Sequence, residues 1–348
     1  MNSVVLESLE CLSQGRSMTE ARAYELMNAI MQGEATPSQI GGVLMALAVK
    51  GESIDELTGF ALAMKQQAQR VPLQSRPIMD TCGTGGDRSF TFNVSTVSAL
   101  VVAGAGVHVA KHGNRSATSK SGSADLLEAL GVSVQHDPAT IGTLIDEVGF
   151  GFLFAQKVHE SMRYAGPTRR ELGVRTVFNV LGPLTNPLSP EYQLLGVFAS
   201  SWVKPMAQVL SRLKVQRAMV VHGHGGLDEV SLSGTTEFGW VDGEKVSFGQ
   251  ITPEELGLPT YPKGSFVGGD PAMNARICRM IVSDKVDGPF TDMVLANAGV
   301  ALYIAARTKT PREGVQLARD SIREGRAEAV LEALIRRSSQ IAPERRDA

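Results

Sequence analysis

Apolar residues recur three and four positions apart through the first seventy residues of the chain, as in Leu57, Phe60 and Met64. This is the period of an amphipathic helix. Start signals precede the predicted helices, because a Ser or Thr side chain can accept hydrogen bonds from amides that the first helical turn leaves unpaired. We therefore predict consecutive helices, with starts at Ser17-Met18-Thr19-Glu20, Thr36-Pro37 and Ser53-Ile54-Asp55-Glu56 and ends at Gly33 and Gly51.

Beyond Pro77 the pattern changes to short apolar runs that alternate with helical segments. The runs predict strands over residues 78–82, 107–110, 152–155, 194–198 and 218–222, with helices over 95–105, 124–130, 138–147 and 204–213. Further helices are predicted over 271–283, 293–307, 312–324 and 327–336, and 344–348 as a frayed tail. Such alternation is typical of a mainly parallel sheet with helices packed on its faces. We therefore predict an α/β fold, with a small all-helical N-terminal domain over residues 1–72 and a large α/β domain with a mainly parallel central sheet over 77–348.

The composition fits a soluble globular protein with a full core. Of the 348 residues, 43% are hydrophobic and 20% are charged, which excludes a disordered chain. A net charge of −2 gives no overall attraction to nucleic acids or anionic membranes, so neither is an expected partner. The N-terminus lacks a basic region followed by an apolar run, and the three cysteines lie far apart without metal-ligand spacing. We therefore expect a cytoplasmic protein with reduced thiols.

Two loops rich in glycine and hydroxyl residues follow predicted strands, over residues 80–87 and 111–123. Between Arg88 and Ala124 the chain has no Asp or Glu, although it has Arg88, Lys111, Arg115 and Lys120. Glycine lets backbone amides approach phosphate oxygens, and the start of the following helix favours an anion. Each loop alone could be a tight connection or a solvated surface loop. Their shared position after strands favours a site for a phosphorylated small molecule.

Asp228 and Glu229 are adjacent acids in a glycine-rich turn after the strand predicted over 218–222. Magnesium commonly binds one or two carboxylates together with substrate phosphate oxygens and water. An exposed acid pair is more often only solvated, and beside a diphosphate loop the two interpretations are evenly matched. A second charged segment, residues 157–175, carries five basic and two acidic residues. One of its guanidinium groups could hold a substrate carboxylate, and the pattern does not choose which.

The chain carries, in this order, Gly83-Thr84-Gly85-Gly86-Asp87, Asn93-Val94-Ser95-Thr96, Lys111-His112-Gly113-Asn114-Arg115, Ser119-Lys120-Ser121-Gly122-Ser123, Arg175-Thr176-Val177-Phe178-Asn179 with Leu181-Gly182-Pro183-Leu184-Thr185-Asn186-Pro187, and Leu227-Asp228-Glu229. Together these motifs resemble the anthranilate phosphoribosyltransferase family, over about residues 15–335. The resemblance implies transfer of the 5-phosphoribosyl group of phosphoribosyl diphosphate to the amine of anthranilate, with release of diphosphate, in tryptophan biosynthesis. It also implies Mg²⁺, a homodimer formed through the helical domain, and a fold of the nucleoside phosphorylase/phosphoribosyltransferase type. In that fold a helical segment near residues 165–190 joins the small domain.

The resemblance further implies roles for individual residues. Phosphoribosyl diphosphate would be held by Gly83, Gly86, Asp87, Thr91, Asn93, Val94, Ser95, Thr96, Lys111, His112, Gly113, Asn114, Arg115, Ser116, Ala117, Thr118 and Ser119, with Ser123 nearby. Ser95, Asp228 and Glu229 would serve the metal. Anthranilate would contact Gly83, Asn114 and Arg169, with Arg169 at its carboxylate and with His112 and His159 along the same path. No dedicated general base is assigned, because the aromatic amine is largely unprotonated at neutral pH.

One departure from the family pattern concerns the acceptor. The family usually has His-Pro-Ala-Met where this chain has His159-Glu160-Ser161-Met162, which places an acid near the expected opening for an anionic aromatic. Arg163 and Arg170 are close enough in the chain to offset that charge. We also expect the two domains to close over a hinge near residues 71–77, which would exclude water.

Two alternatives belong to other classes. A pyrimidine nucleoside phosphorylase would share the fold. In that family the glycine loop has a sequence like Lys-His-Ser-Thr-Gly-Gly, whereas Cys82 directly precedes the glycines here. A non-catalytic, nucleic-acid-binding paralogue would keep the fold and lose the site. The intact motifs and the near-neutral charge argue against that paralogue.

Overall fold

A computed structural model describes residues 2–87, 89–116 and 120–341, and it begins with four helices. Two of the helix starts are as predicted, because Thr36 and Ser53 each form a capping box with the residue three positions later. In each box the side chain of the first residue accepts a hydrogen bond from the backbone N–H of the last residue, and the side chain of the last residue accepts one from the N–H of the first. The helices are α1 (Ser3–Ser13), α2 (Glu20–Met31), α3 (Pro37–Lys50) and α4 (Ile54–Gln67).

The predicted start at Ser17 is wrong. Helix α2 begins after Thr19, whose side chain accepts a hydrogen bond from the Arg22 N–H. The physical reason lies in α4, where the fully buried carboxylate of Glu56 accepts the Met18 N–H at 3.0 Å. That contact holds Met18 outside the helix, so a partner 38 residues away overrides the local signal.

Within the described residues, seven strands form one sheet in the order β3-β2-β1-β4-β5-β6-β7. The first five in the chain run parallel, as predicted, with bounds within three residues of the predicted strands. The sequence analysis missed β6 and β7, an antiparallel hairpin that extends one edge of the sheet. The strands are β1 (Ile78–Gly83), β2 (His108–Gly113), β3 (Phe150–Phe154), β4 (Tyr192–Gly196), β5 (Arg217–His222), β6 (Thr236–Asp242) and β7 (Lys245–Ile251).

Helices cover both faces of the sheet, and every helix predicted after Pro77 is present. One face carries a core built largely from α5, α12 and α13, and the other packs against α11 and the N-terminal helices. The helices are α5 (Val94–Gly104), α6 (Ser123–Leu130), α7 (Pro138–Val148), α8 (Ala155–Val158), α9 (Gly166–Leu172), α10 (Phe178–Leu181), α11 (Val203–Arg212), α12 (Pro271–Val282), α13 (Pro289–Ile304), α14 (Pro311–Arg323) and α15 (Arg326–Gln340). None of the described helices is long and apolar enough to cross a membrane. The tail predicted over 344–348 lies outside the described residues.

The segment between β3 and β4 leaves the sheet and packs on the N-terminal helices. A side chain at Gly33 would meet the Tyr164 ring at 2.7 Å, so glycine allows this close approach. Ala165, Phe178 and Leu181 join the same core as α2 to α4. The assignment of the segment near 165–190 to the small domain, like the domain division at 72 and 77, stays a prediction.

The connection over residues 71–77 is hydrogen-bonded to the large domain. Asp146 on α7 accepts the N–H groups of Gln74 and Ser75 at 3.2 and 2.7 Å. Glu191, just before β4, accepts the Ile78 N–H at 2.9 Å and pairs with Arg76. The predicted hinge therefore starts from an anchored conformation, and its movement stays a prediction.

Candidate functional site

The glycine loop after β1 is held against the turn that carries the two acids. Thr84 donates its N–H to the Gly196 carbonyl at 2.9 Å, and Gly85 donates its N–H to the Asp228 carboxylate at 2.8 Å. A side chain at Gly83 would lie 2.4 Å from the Asp228 carboxylate, so only glycine fits there. Two stretches more than 140 residues apart therefore form one rigid unit.

Lys111 places a buried cation between the ends of β1 and β2. Its side chain is 1% exposed, and Nζ donates to the Thr81 carbonyl at 2.6 Å and to Ser95 Oγ at 3.2 Å. Burial lowers the pKa of Lys111, and the nearby Asp80 opposes that change. Burial likewise raises the pKa of Asp80 to about 6, and Lys111 acts against it. The ammonium group of Lys111 thus lies beside the first turn of α5.

Asp80 and Asn186 are structural partners that the sequence analysis did not identify as such. Asp80 is fully buried and accepts the His112 N–H at 3.2 Å. Asn186 donates from Nδ2 both to Asp80 at 2.9 Å and to the Ala110 carbonyl at 2.8 Å. These bonds fix β2 relative to β1 and so orient Lys111 and His112.

Asp87, Asp228 and Glu229 bring three acids together around the same edge of the sheet. Burial, and then repulsion from Asp87, raises the pKa of Asp228 to about 7. Burial, and then Asp228, raises the pKa of Glu229 well above its usual value, while Lys111 lowers it. Negative charge at this site is therefore under-neutralised, and a divalent cation with hard oxygen preference would relieve it.

These acids alone do not make a complete metal site. In the part of the chain that the structure describes, no three His, Cys, Asp or Glu side chains converge closely enough to hold an ion. Magnesium accepts a few protein carboxylates when phosphate oxygens and water complete its coordination. Asp228 and Glu229 thus fit Mg²⁺ that arrives with a phosphorylated ligand. Ser95, the third predicted metal residue, has its Oγ bonded to Lys111.

Helix α5 begins without a cap from the Asn93 side chain, and the Val94 and Thr96 N–H groups donate to the Phe92 and Asn93 carbonyls at 2.7 and 3.1 Å. Asn93 occupies the cap position, but its side chain is bonded elsewhere. Nδ2 donates to the Ser121 carbonyl at 3.0 Å, and Oδ1 accepts from Asn274 at 2.9 Å. Asn93 therefore ties the helix start to the second loop. Thr96 Oγ1 is buried and has no hydrogen-bond partner among the described residues. Val94 and Thr91 flank the same turn.

The second loop is fixed by α6, which explains why its basic residues are less available than predicted. Arg115 pairs with Asp125 at 3.0 Å and with Glu128 at 2.6 Å, and it lies over the Phe154 ring. Asp125 also accepts the Ser116 and Gly122 N–H groups at 3.0 and 2.8 Å. A side-chain role for Arg115 at phosphate would compete with these ion pairs. The predicted ligands Ala117, Thr118 and Ser119 lie outside the described residues.

Asn114, Gly113 and Ser123 complete the described part of this loop. Asn114 Oδ1 accepts the Arg115 N–H at 2.8 Å and a bond from Gln156 at 3.3 Å. A side chain at Gly113 would meet Ser123 Oγ at 3.0 Å, which places Ser123 directly beside the end of β2. The loop therefore brings Ser123 next to Gly113 and Lys111.

His112 and His159 form an edge-to-face pair with ring centroids 5.1 Å apart. Both are more than nine-tenths buried, and neither Nε2 has a hydrogen-bond partner among the described residues. Burial lowers the pKa of His112 to about 3 and that of His159 to about 4. His112 Nδ1 donates to the Gly182 carbonyl at 3.2 Å, so its Nε2 carries a lone pair. Two neutral imidazoles thus offer polar atoms to a ligand.

Arg169 on α9 is the half-buried residue among the five basic residues of the segment 157–175. Its guanidinium lies 5.9 Å from the Phe178 ring centroid, and burial lowers its pKa. No salt bridge to Arg169 is formed within residues 2–87, 89–116 and 120–341. By contrast, Arg163 bonds Tyr164, and Arg170 and Glu160 are exposed. A half-buried cation without a carboxylate partner is suited to an anionic ligand.

The two cavities beside the β6–β7 hairpin are separate from these loops. One of about 400 Å³ is lined by Phe238, Trp240 and Tyr303, and one of about 390 Å³ by Phe238 and Phe248. None of the predicted site residues lines either cavity. Their walls mix aromatic residues with polar and charged ones, such as Arg312 in the first and Lys204 in the second.

The buried histidines generate a prediction about acid stability. His159 has a pKa of about 4 in the folded protein against 6.5 when solvated, so the folded state binds fewer protons below pH 6.5. Its contribution is complete above pH 6.5 and is lost as the pH falls towards 4. Between pH 7 and pH 4 we expect the free energy of unfolding to fall by about 2 kcal/mol less in His159→Gln than in the wild type. Urea titrations at pH 7 and pH 4 measure it, with the exposed His224→Gln as control. Equal pH slopes in wild type and His159→Gln would contradict it.

Comparison with known proteins identifies relatives over nearly the whole chain. Residues 6–68 match the helical bundle domain of the glycosyl transferase family, and residues 75–328 match the α/β domain of that family. The anthranilate phosphoribosyltransferase of Symbiobacterium thermophilum is 49% identical and covers 94% of this chain and 95% of its own. That of Rubrobacter xylanophilus is 45% identical, over 97% and 98% of the two chains.

Solved structures agree. The anthranilate phosphoribosyltransferase of Thermus thermophilus superposes with a TM-score of 0.90 at 44% identity, over 95% of this chain and 99% of its own. That of Saccharomyces cerevisiae, in complex with PRPP and Mg, superposes with a TM-score of 0.89 at 29% identity, over 98% and 99%.

Proposed function

Because the chain belongs to the anthranilate phosphoribosyltransferases of the glycosyl transferase family, we infer that it transfers the 5-phosphoribosyl group of phosphoribosyl diphosphate to the amine of anthranilate. Diphosphate leaves, and the product enters tryptophan biosynthesis. The observation that carries this function is the meeting of the glycine loop, buried Lys111 and the Asp228–Glu229 turn at one edge of the sheet. Neither the nucleoside phosphorylase nor the nucleic-acid-binding alternative gains support.

The donor would lie across the carboxyl ends of β1 and β2. The positive end of the α5 dipole favours the charge of its phosphates, and glycine at positions 83 and 86 lets the backbone approach their oxygens. Lys111 supplies fixed positive charge at short range without needing to reorient. We assign to this site Gly83, Gly86, Asp87, Thr91, Asn93, Val94, Ser95, Thr96, Lys111, His112, Gly113, Asn114, Arg115, Ser116, Ala117, Thr118, Ser119 and Ser123. Asn93 acts there by holding the two loops together.

Asp228, Glu229 and Ser95 would hold Mg²⁺ together with the donor. Burial, and then a neighbouring carboxylate, raises the pKa of both acids, so a bound cation would stabilise their charged forms. When bound, magnesium neutralises diphosphate and makes it a better leaving group. The relative from Saccharomyces cerevisiae was solved with PRPP and Mg, which supports the same use here.

The acceptor would bind between Arg169 and the histidine pair. Arg169 would hold the carboxylate of anthranilate, and Gly83, Asn114, His112 and His159 would surround the ring and amine. His112 has a pKa of about 3, so its Nε2 is a weak base that accepts a hydrogen bond and orients the amine. Catalysis then rests on positioning and on charge stabilisation while the bond to diphosphate breaks.

A homodimer would be formed through the helical domain. Leu6 on α1 and Met45 and Val49 on α3 expose 43%, 37% and 83% of their surface, on two helices that pack together. Exposed apolar side chains concentrated on neighbouring helices are typical of an interface. We also expect the enzyme to be cytoplasmic, as for a soluble biosynthetic enzyme.

The activity is tested by the fluorescence of anthranilate. With phosphoribosyl diphosphate and Mg²⁺, purified protein should consume anthranilate, and a chelator should stop the reaction. Asp228→Asn should lower kcat/KM by about a hundredfold or more, because one carboxylate for the metal is lost. No loss of fluorescence with a folded wild-type protein would refute the function.

Arg169 tests the acceptor assignment. Arg169→Ala should raise the KM for anthranilate about thirty- to a hundredfold, because a charged hydrogen bond of roughly 2–3 kcal/mol is removed. The KM for phosphoribosyl diphosphate should change little. Arg170→Ala, at the exposed neighbouring position, is the matched control and should leave both constants unchanged. An unchanged anthranilate KM in Arg169→Ala would reject the assignment.

The interface is tested by Val49. Light scattering after gel filtration should give twice the chain mass for wild type and a lower mass for Val49→Glu, because a charge would be buried at the interface. Met280→Glu, at an exposed apolar position on α12, should stay dimeric. A wild-type monomer, or a dimeric Val49→Glu, would exclude this interface.

A further inference from the structure

Arg175 connects the glycine loop to the helical segment between β3 and β4. It follows α9 and precedes α10, yet its guanidinium reaches the loop after β1 and donates to the Gly86 carbonyl at 2.5 Å. The same guanidinium lies over the ring of Phe198, 4.2 Å from the centroid. These contacts span 89 residues of sequence.

The loop around Gly86 is shaped to receive this side chain. Gly86 has φ +76°, and a side chain there would lie 3.1 Å from the Arg175 guanidinium, so glycine serves both conformation and space. Phe198 is fastened to the same loop, because its N–H donates to Thr84 Oγ1 at 3.1 Å. Arg175 therefore closes a small ring of contacts from Thr84 through Phe198 to Gly86.

Both ends of this connection lie beside residues of the proposed active site. Gly86 immediately precedes Asp87, whose charge contributes to the raised pKa of Asp228. On the other side, Phe178 lies three residues after Arg175 and packs under the guanidinium of Arg169. Between them the Thr176 N–H is fixed by Asn179 Oδ1 at 2.9 Å, so the short segment is rigid. The same short segment therefore contacts the glycine loop at one end and Arg169 at the other.

We propose that Arg175 is a positioning residue that holds the glycine loop in its donor-binding conformation and couples it to the segment carrying Arg169. The proposal rests on the proposed function, because it assigns the donor to the glycine loop and the acceptor to Arg169. Arg175 acts through Gly86 and Phe198. Since the Arg175 side chain is exposed and not part of a core cluster, its loss should leave the fold intact.

The test compares Arg175→Ala, Arg175→Lys and Arg323→Ala with wild type in steady-state assays. Arg175→Ala should raise the KM for phosphoribosyl diphosphate about tenfold, with kcat within about threefold, because the loop loses a charged hydrogen bond but no group that touches the reacting atoms. Arg175→Lys should recover part of the affinity, because Nζ can donate to Gly86 but cannot stack as a plane on Phe198. Arg323→Ala, at an exposed position on α14, should behave as wild type.

Coupling is measured separately with diphosphate and Mg²⁺ as a non-reacting probe. In wild type they should tighten anthranilate binding about fivefold or more, and in Arg175→Ala this factor should approach one. Phe198→Leu, which leaves the guanidinium but removes its platform, should give an intermediate factor. Unchanged donor KM and unchanged coupling in Arg175→Ala would overturn the proposal, as would a fall in kcat and melting temperature with both constants unchanged. Absence of turnover in wild type would instead refute the proposed function.

Discussion

The site depends on a buried lysine at the carboxyl ends of two parallel strands. Removing an ammonium group from water is costly unless nearby charges and acceptors compensate it. Lys111 is compensated by Asp80 and the Thr81 carbonyl, both in β1, and by Ser95 Oγ in the first turn of α5. Those two elements therefore have little freedom relative to β2. The glycine loop, the helix start and the acid turn are arranged around this fixed charge.

This arrangement leaves an electrostatic imbalance that a substrate complex can resolve. Asp228 and Glu229 have raised pKa values first because they are shielded from water and then because another carboxylate lies close, Asp87 to Asp228 and Asp228 to Glu229. Lys111, Arg169 and the start of α5 present positive charge or the positive end of a helix dipole. As we propose, a metal bound to a diphosphate would satisfy the acids and the positive groups at once, and a carboxylate would satisfy Arg169. Preorganised groups of this kind stabilise charge without reorientation during the reaction.

Much of this fold could be predicted from the sequence, because local pattern determines helices and buried strands strongly. The missed hairpin illustrates the limit. In β6 only Thr236, Gly239 and Val241 are buried, and β7 is mostly exposed, so neither gives the continuous apolar run that marked β1 to β5. The turn between them contains Gly243 at φ +59° after Asp242, a signal that a search for hairpins would have used. The displaced start of α2 depends instead on Glu56, a partner distant in sequence.

The same division applies to the site. Glycine and hydroxyl loops after strands could be recognised locally, whereas the state of each side chain depends on distant partners. Arg115 looks available in sequence but pairs with Glu128, and Asn93 looks like a cap but bonds Asn274. Arg169 differs from its basic neighbours in being half-buried, whereas Lys157, Arg163, Arg170 and Arg175 are exposed. Arg175 had no local feature that indicated its contact with Gly86.

We infer that the turn carrying Asp228 and Glu229 becomes a metal site only together with the phosphorylated donor. Titration calorimetry of Mg²⁺ into the protein, with and without diphosphate, measures this most directly. We expect no saturable binding of Mg²⁺ alone at sub-millimolar concentrations, and tight, saturable binding once diphosphate is present. Equally tight binding of Mg²⁺ in the absence of diphosphate would contradict it, because the protein would then supply a complete site by itself.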